Sequence, residues 1–469
     1  MSEPLKQGGD SAAGLATTTK SEEEQFDKFD IEKLAPEEPT TTTAGFWDIF
    51  KQFVLLGWTA FGGPAAHVAL FQKVFVERLS WMTSVVFLEL LALGQCLPGP
   101  TSTQISFAIG VVKKGIPGGL LSGILFQYPG LLMMSLVGVG VDSLEITSWK
   151  KGISDGLAAV AVALVANAAR GLAGKTCVDK VTSGISVGAA VVAYYYPEAW
   201  TFPALIVVGG LITLFTKRKD NVALPEVNEG LDALGVGVFG GAILILTWAC
   251  VLGLVIGLAS AIPYEDAKPL HWFESFYRTG SLIFGGGQVV LPLIINEVTQ
   301  ENCSLDPVTN TEVCVDSEDS WVTSDQFYLG LGIVQAMPGP LFNFSAYLGA
   351  VTAIRAGYNA VAGIASCWFG LFSPGILLIY GVLPFWGAFR KLPAYRRALP
   401  GLNAAAVGLI ITAVFVMLFK VVNRSSFPST SVGIGIIGFA LVDIFKVQAP
   451  LIVVGGGVMG LIGWALDMN

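Results

Sequence analysis

Two Pro-Gly-Pro triplets interrupt apolar stretches of the chain, and each follows a glutamine by three residues. They are Pro98-Gly99-Pro100 and Pro338-Gly339-Pro340, 240 residues apart. Proline fits the first position of a helix because the amide that it lacks would have no intrahelical partner there. Each triplet therefore predicts the end of one half-helix and the start of another. The second half-helix would direct free N–H groups and the positive end of its dipole at the break, which is an arrangement that binds anions.

A second kind of break precedes each triplet, at Phe61-Gly62-Gly63, followed by Pro64, and at Phe284-Gly285-Gly286. Four converging helix N-termini, each equivalent to roughly half a positive charge, would present about two positive charges, which suits a tetrahedral dianion. The glycines would let its oxygen atoms approach the backbone closely. The predicted binding residues, including side-chain donors beside the breaks, are Gly62, Gly63, Gln95, Pro98, Gly99, Pro100, Thr101, Thr103, Gln104, Gly285, Gly286, Gln288, Gln335, Pro338, Gly339, Pro340 and Asn343.

A simpler interpretation of these motifs remains open. Glycine and proline also kink tightly packed membrane helices in the absence of any ligand. A single triplet would favour this structural interpretation. Two kinds of break that recur in both halves of the chain favour a binding site instead.

Ionisable side chains within apolar segments are candidates for function, because a charge in the membrane is costly. Glu89 lies in the middle of such a segment and could carry a proton, although its repeat counterpart is Leu329. His67 follows the first FGG motif, either as a proton relay or as a structural histidine held by a hydrogen bond. Arg278 would either pair with Glu274, four residues before it on one helix, or attract an incoming anion.

The sequence indicates neither an enzyme nor a protein with a bound cofactor. Its two histidines, His67 and His271, form no cluster for a metal, and we find no nucleophile elbow, Walker loop or nucleotide fingerprint. The net charge of −8 comes mostly from the N-terminal segment and one acidic loop. No basic patch suited to nucleic acid is present in the sequence.

Composition places the chain in a lipid membrane. Hydrophobic residues make up 53% of its 469 residues and charged residues 13%, against roughly a quarter charged in soluble domains. We therefore expect an all-α polytopic membrane protein. Residues 1–44 differ, being rich in Ser, Thr, Gly and Glu, and predict a disordered acidic tail in the cytosol.

Repeated motifs divide the remainder into two homologous halves. Besides the breaks, Pro129-Gly130 recurs as Pro374-Gly375 and Leu205–Gly210 recurs as Leu451–Gly456. We predict a first repeat at 45–220, a linker with one extra transmembrane helix at 221–265, and a second repeat at 266–469. The pieces beside each break span about 12–15 residues, too few for a full crossing of about 20. They predict discontinuous or re-entrant half-helices, with one long kinked helix at each break as the alternative.

Loop composition predicts that the two repeats have inverted topology. The loop after the first FGG pair carries Lys73 and Arg78, which favour the cytosol. The equivalent loop of the second half, at 298–320, is acidic and holds Cys303, Cys314 and the sequon at Asn302. A disulfide and a glycosylated asparagine suit a non-cytosolic side. Equivalent loops would thus face opposite sides, and the single extra helix supplies the required reversal.

These motifs together resemble the chromate ion transporter family in its long form, in which two homologous domains share one chain. The resemblance covers about residues 46–466. Two departures are that Gly287, not proline, follows the second FGG, and that Leu341-Phe342-Asn343 follows the second triplet. The family's motif positions fall on Phe61, Gly62, Gly63, Pro64, Gln95, Pro98, Gly99, Pro100, Phe284, Gly285, Gly286, Gln335, Pro338, Gly339 and Pro340.

The resemblance implies transport of chromate, a tetrahedral dianion shaped like sulfate, with the membrane potential or a proton gradient as the energy source. We accordingly expect a secondary transporter that moves chromate, and sulfate as a second candidate, with protons as possible coupling ions. The alternative is a passive anion channel that uses the same site. The expected location is the plasma membrane. Uptake and efflux are both compatible with these motifs, and a homodimer is a candidate assembly.

Overall fold

The computed structural model describes residues 45–469 except 62, 142–147, 199, 217–235, 284–289, 306–311, 387–391, 426 and 468–469. The predicted tail at 1–44 lies outside the described residues. Gly62, Gly285, Gly286 and Gln288 lie outside them as well. The backbone is described at Glu89, Gln95, Asn302, Cys303 and Cys314, but their side chains are not.

Helices of the first half follow one another in an order that the second half repeats. They are α1 (Phe46–Thr59), α2 (Gly63–Phe71, continued by a π-helical turn at Gln72–Arg78), α3 (Ser84–Cys96), α4 (Thr101–Val141), α5 (Ser148–Thr176), α6 (Lys180–Tyr195) and α7 (Thr201–Thr216).

Helix α8 (Gly237–Ala261) has no counterpart and connects the halves. The second series is α9 (Lys268–Leu282), α10 (Val290–Val298), α11 (Ser324–Ala336), α12 (Phe344–Arg355), α13 (Ala360–Val382), α14 (Pro393–Arg424), α15 (Pro428–Asp443) and α16 (Ala449–Asp467). Two short strands, β1 (Glu301–Leu305) and β2 (Glu312–Asp316), lie between α10 and α11.

Six helices of the described chain are long and apolar enough to cross a membrane. Helix α8 is the most apolar of them, and its large side chains such as Phe239 and Leu246 are exposed. This composition, on an almost entirely helical chain, confirms the predicted polytopic membrane protein. The six spans are Thr101–Val141, Trp149–Thr176, Gly237–Ala261, Ala360–Phe385, Arg396–Asn423 and Ala449–Leu466.

Helix α4 is a hairpin of two antiparallel arms. The backbone leaves the helical conformation at Lys114 and at Gly115, whose φ is +60°. The Ser122 hydroxyl donates to the Ser106 carbonyl at 2.7 Å, so the arms run side by side in opposite directions. In the second half the same two arms are the separate helices α12 and α13.

The α3–α4 break is re-entrant, because the chain returns to the face that it entered from. Lys113, at the end of the first arm of α4, lies over the ring of Trp81, just before α3, at 6.0 Å. The FGG break between α1 and α2 is re-entrant as well. Arg78, at the end of the π-helical turn that continues α2, donates to Gln52 of α1 at 2.8 Å. Both hairpins therefore open on one side of the protein, which we call the Trp81 face.

The hairpins of the second half open on the opposite side. After Lys113 the second arm of α4, residues 116–141, carries the chain about 39 Å across the bundle. Near the start of the next helix, α5, Lys151 Nζ lies 2.9 Å from Asp325 Oδ1, in the first turn of α11. The second-half hairpins thus enter from this side, which we call the Asp325 face.

Glycines allow helices of the two halves to pack closely together. Gly156 of α5 packs on Gly456 of the second half, and Gly401 of α14 packs on Gly209 of the first half. In each case a Cβ atom would collide with a backbone carbonyl of the other helix. Small residues permit this close approach of membrane helices. The helices at the centre of each half, α5 and α14, therefore contact the last helix of the other half.

The segment predicted as a loop at 298–320 contains the β1–β2 hairpin. Its register places Cys303 directly opposite Cys314. Asp316, at the end of β2, accepts hydrogen bonds from the amide and the hydroxyl of Ser324 at 3.1 and 2.9 Å. The hairpin is thus attached to the first residue of α11, on the Asp325 face.

Candidate functional site

Both Pro-Gly-Pro triplets are buried breaks between helices. Helix α3 ends at Cys96 and α4 begins at Thr101, while α11 ends at Ala336 and a 3₁₀ turn begins at Leu341. The central glycines have φ values of +116° (Gly99) and +90° (Gly339). This is a region that side chains disfavour, so the breaks require glycine.

The prolines lie close to the positions that the sequence predicts, with one systematic difference. Pro64 is in the first turn of α2, whereas Pro100 and Pro340 precede the first helical residue instead of occupying it. Pro100 still begins the helix, because its carbonyl accepts the amide of Gln104 at 3.0 Å. The amides of Thr101, Ser102 and Thr103 are the first three of α4 and have no acceptor within the helix.

Each triplet is hydrogen-bonded to the FGG break of the other half. The Gly99 amide donates to the Ile283 carbonyl at 2.8 Å, and the Gly339 amide donates to the Ala60 carbonyl at 2.8 Å. Ile283 and Ala60 each directly precede an FGG motif. The amides of Gly99 and Gly339 thus already have acceptors within the protein. The backbone donors that remain for an anion are the N-terminal amides of the helices that follow the triplets.

The repeated Pro-Gly motifs complete the two breaks, a role that was not assigned to them from the sequence. A Cβ atom on Gly99 would lie 2.9 Å from the Cα atom of Gly375. A Cβ atom on Gly130 would lie 2.9 Å from the Pro338 carbonyl oxygen. Each triplet therefore contacts two motifs of the other half, the Pro-Gly motif and the FGG break.

Two polar side chains next to the breaks, Gln104 and Asn343, form hydrogen bonds with the surrounding protein. The Gln104 amide donates to the Pro98 carbonyl at 2.8 Å. The Asn343 amide donates to the Gln127 carbonyl at 3.3 Å and its oxygen accepts from the Trp368 indole at 2.9 Å. Thr101, predicted as a binding residue, donates instead to the Gly94 carbonyl at 3.2 Å within its own half.

Three hydrogen-bond donors beside the breaks are inaccessible to solvent and have no partner among the described residues. They are the hydroxyls of Thr103 and Ser373 and the side-chain amide nitrogen of Gln335. A buried donor without an acceptor costs about 1–3 kcal/mol, so such groups are candidates for contact with a ligand or a water molecule. Ser373 was missed in the sequence, where its only signal was its position before the repeated Pro374-Gly375.

His67 is fully buried and lies against the first FGG break. Its Nε2 is 3.1 Å from the Ala60 carbonyl oxygen, the same atom that accepts the Gly339 amide. The ring also meets the Phe126 ring edge-on, with centroids 5.4 Å apart. The contact of Nε2 with the Ala60 carbonyl is the kind of hydrogen bond that the structural interpretation of this histidine expects. The equivalent residue of the second half is Val290, which has no such donor.

Arg278 is held by two carboxylates. Its Nε lies 2.7 Å from Glu274, as the spacing predicted, and its two Nη atoms lie 3.0 and 3.1 Å from Glu297 of α10. Glu297 also accepts from Ser275 at 2.9 Å. This group carries one net negative charge, which does not favour an incoming anion. We therefore leave Arg278 out of the binding site.

Comparison with known proteins agrees with this two-fold organisation. The family model described as chromate transporter matches residues 47–214 and again residues 270–461. The chain belongs to the chromate transporter family. The two matched regions coincide with the helix series α1–α7 and α9–α16. Members of this family are transport proteins, so the chain is a membrane transport protein and not an enzyme.

Relatives of the chain match it over nearly their full length. The chromate transport protein of Pseudomonas aeruginosa is 27% identical over 90% of this chain and 92% of its own. The chromate transport protein of Cupriavidus metallidurans is 25% identical over 92% of this chain and 99% of its own. A probable chromate transport protein of Synechococcus elongatus is 25% identical over 88% of this chain and 95% of its own. No solved structure matches the chain significantly.

Proposed function

We propose that the chain is a secondary transporter of chromate, and of sulfate as a dianion of the same shape. The names of the matched relatives support chromate as the substrate. One observation carries the position of the site: the reciprocal hydrogen bonds Gly99–Ile283 and Gly339–Ala60 gather both triplets and both FGG breaks at the contact between the halves. The oxyanion binds there.

The site holds the dianion with helix ends and neutral donors. The N-termini of α4 and of the 3₁₀ turn before α12 supply positive potential and free amides. Thr103, Ser373 and Gln335 add the side-chain donors that have no partner among the described residues. Such a site needs no buried cation, so the empty transporter avoids the cost of an unpaired charge in the membrane.

The described conformation is closed around this site. Residues 98–111 and 338–353 are all buried, and Gly99 is packed against Gly375. An ion reaches the breaks only when contacts between the halves separate. Because the hairpins of the two halves open on opposite faces, movement of one pair would expose the site to one side of the membrane at a time.

The direct test is flux of labelled chromate and sulfate into proteoliposomes that contain the purified chain. Proton and electrical gradients are imposed separately. Concentrative uptake under one of the gradients supports a secondary transporter, whereas flux that only equilibrates the anion under both supports a passive channel. Absence of flux of either anion contradicts the proposal.

The site itself is tested with Thr103→Val and Ser373→Ala, which remove single donors without adding bulk. Each is expected to lower chromate flux at least tenfold at limiting chromate, because a donor to the anion is lost. Thr216→Val, at the exposed end of α7, is the control and is expected to leave flux unchanged. Unaltered flux in both site variants would show that the oxyanion does not bind at these breaks.

We propose that the Trp81 face is cytosolic and that the membrane is the plasma membrane. Lys73, Arg78, Lys113 and Lys114 lie at or next to the Trp81 face, as the positive-inside rule requires for a cytosolic side. The Asp325 face carries the β1–β2 hairpin with Asn302, Cys303 and Cys314 and is then extracytosolic. The cytosolic tail and a homodimer stay predictions.

A further inference from the structure

One atom joins His67 to the Pro-Gly-Pro break of the other half. The Ala60 carbonyl oxygen lies 3.1 Å from His67 Nε2 and 2.8 Å from the Gly339 amide nitrogen. The imidazole and this backbone amide are therefore no more than about 6 Å apart. Any charge on the imidazole acts directly on the break where the oxyanion is proposed to bind.

The hydrogen bond to Ala60 fixes the tautomer of the imidazole. A carbonyl oxygen only accepts, so Nε2 carries the hydrogen and Nδ1 carries the lone pair. His67 is fully buried, and its Nδ1 has no hydrogen-bond partner among the described residues. The ring thus has one nitrogen that positions the break and one that is available for a proton.

The described surroundings of the ring are apolar. Helix α2 packs on α4, where Phe126 meets the imidazole ring edge-on, and on α1, where Phe53 contacts Phe71. The ionisable groups of these elements are Asp48 and Lys51 on α1, Lys73, Glu77 and Arg78 beyond α2, and Lys113, Lys114 and Tyr128 on α4. The lysines, acids and arginine lie toward the Trp81 face, and Tyr128 accepts from the Trp58 indole at 2.7 Å. Glu89 is on α3, with a side chain outside the described set.

Resting on the proposed function, we propose that His67 takes up one proton together with the oxyanion, which makes the protein a proton–oxyanion symporter. Nδ1 accepts the proton from the side on which the site is open, and the ring becomes an imidazolium ion. Its positive charge strengthens binding of the dianion, and the dianion in turn stabilises the imidazolium, because the linkage is reciprocal. When the site opens to the other side, the anion leaves and Nδ1 releases the proton there.

The two histidines of the chain provide a matched comparison. His271 also places Nε2 on a backbone carbonyl, that of Ile262 at 2.9 Å, but it lies on α9 away from the breaks and is only partly buried. His67→Gln keeps an amide donor for Ala60 and removes the titratable nitrogen. His271→Gln is the corresponding change at a site with no role in the proposal.

The experiment uses the full chain in proteoliposomes, at a pH above the second ionisation of chromate, so that the anion itself carries no proton. In the wild-type protein a pH gradient alone should concentrate chromate on the alkaline side, and chromate uptake should move one proton per anion in the same direction. His67→Gln should lower accumulation driven by the pH gradient at least tenfold while flux driven by an electrical gradient stays measurable. His271→Gln should behave like the wild type.

Two results would overturn the proton site. One is wild-type chromate uptake without proton movement, and the other is full accumulation under a pH gradient in His67→Gln. If that variant is not recovered as folded protein, His67→Asn is measured in the same way, and the wild-type proton count still decides whether a proton moves. Absence of chromate flux under every gradient in the wild type contradicts the transport function instead, so the two failures are distinguishable.

Discussion

The backbone amide of Gly99 donates a hydrogen bond to the carbonyl of Ile283 at 2.8 Å, although the two residues belong to different halves of the chain. The equivalent bond in the other direction, from Gly339 to Ala60, has the same length. Each half thus completes the break of the other. Both Pro-Gly-Pro breaks are therefore bordered by residues of both halves, and the proposed binding site belongs to neither half alone.

Gly99→Ala should lower both stability and flux. The new Cβ atom would lie 2.9 Å from Gly375 and the backbone would stay at a φ of +116°, a combination that costs on the order of 1–3 kcal/mol. We expect a lower thermal midpoint in detergent and at least a tenfold loss of chromate flux. Gly188→Ala, on α6 with open space around it, is the control and should match the wild type. Wild-type flux in Gly99→Ala would show that the close contact is not needed.

Gly401→Val should prevent correct assembly of the two halves. Its side chain would collide with the Gly209 carbonyl and the Thr213 hydroxyl of α7. Backbone atoms cannot move aside cheaply, so we expect little monodisperse protein in size-exclusion chromatography of the fluorescently tagged chain. Gly433→Val, on α15 with nothing near it, is expected to elute normally. Equal yields of the two variants would contradict the interlocked packing.

The ion pair between Lys151 and Asp325 should stabilise the contact between the halves on the Asp325 face. Lys151 is also 2.8 Å from Asp155, so removal of the lysine also takes a cation away from this buried carboxylate. A double-mutant cycle of Lys151→Met and Asp325→Asn, read as thermal stability, should give a coupling energy of about 1 kcal/mol. A coupling energy of zero would show that the ion pair contributes nothing to stability. Lys150→Met, next to it in the sequence, is the control for loss of a charge.

Cys303 and Cys314 should form a disulfide on the extracytosolic side. Their backbone positions face each other in the β1–β2 register, which is compatible with a cross-strand bridge. We expect a polyethylene glycol maleimide to modify these positions only after reduction, in a chain whose other cysteines are replaced by serine. Cys303→Ser should expose Cys314 to the reagent without reduction. Modification of both residues without reduction, in the chain that keeps only these two cysteines, would contradict the disulfide.

The helical breaks could be predicted from the sequence because they depend on local chemistry. Glycine is preferred at positive φ and proline at the start of a helix whatever the rest of the chain does, so the two triplets could be recognised as breaks from the sequence. The pairing of Arg278 with Glu274 was predictable for the same reason, since residues four apart are neighbours on the surface of a helix. Glu297, which binds Arg278 from the next helix, has no such local signal.

The sequence by itself determined that the chain is a helical membrane protein, that its helices come in two series, and at which residues the helices break. Only the tertiary structure decided what those breaks contact. Gly99 and Gly375 are 276 positions apart, and neither residue type nor spacing indicates that they touch. The same holds for Ser373 and for the carbonyl that His67 shares with Gly339. These contacts follow from the packing of the two halves against each other, in which closeness in space is independent of closeness in sequence.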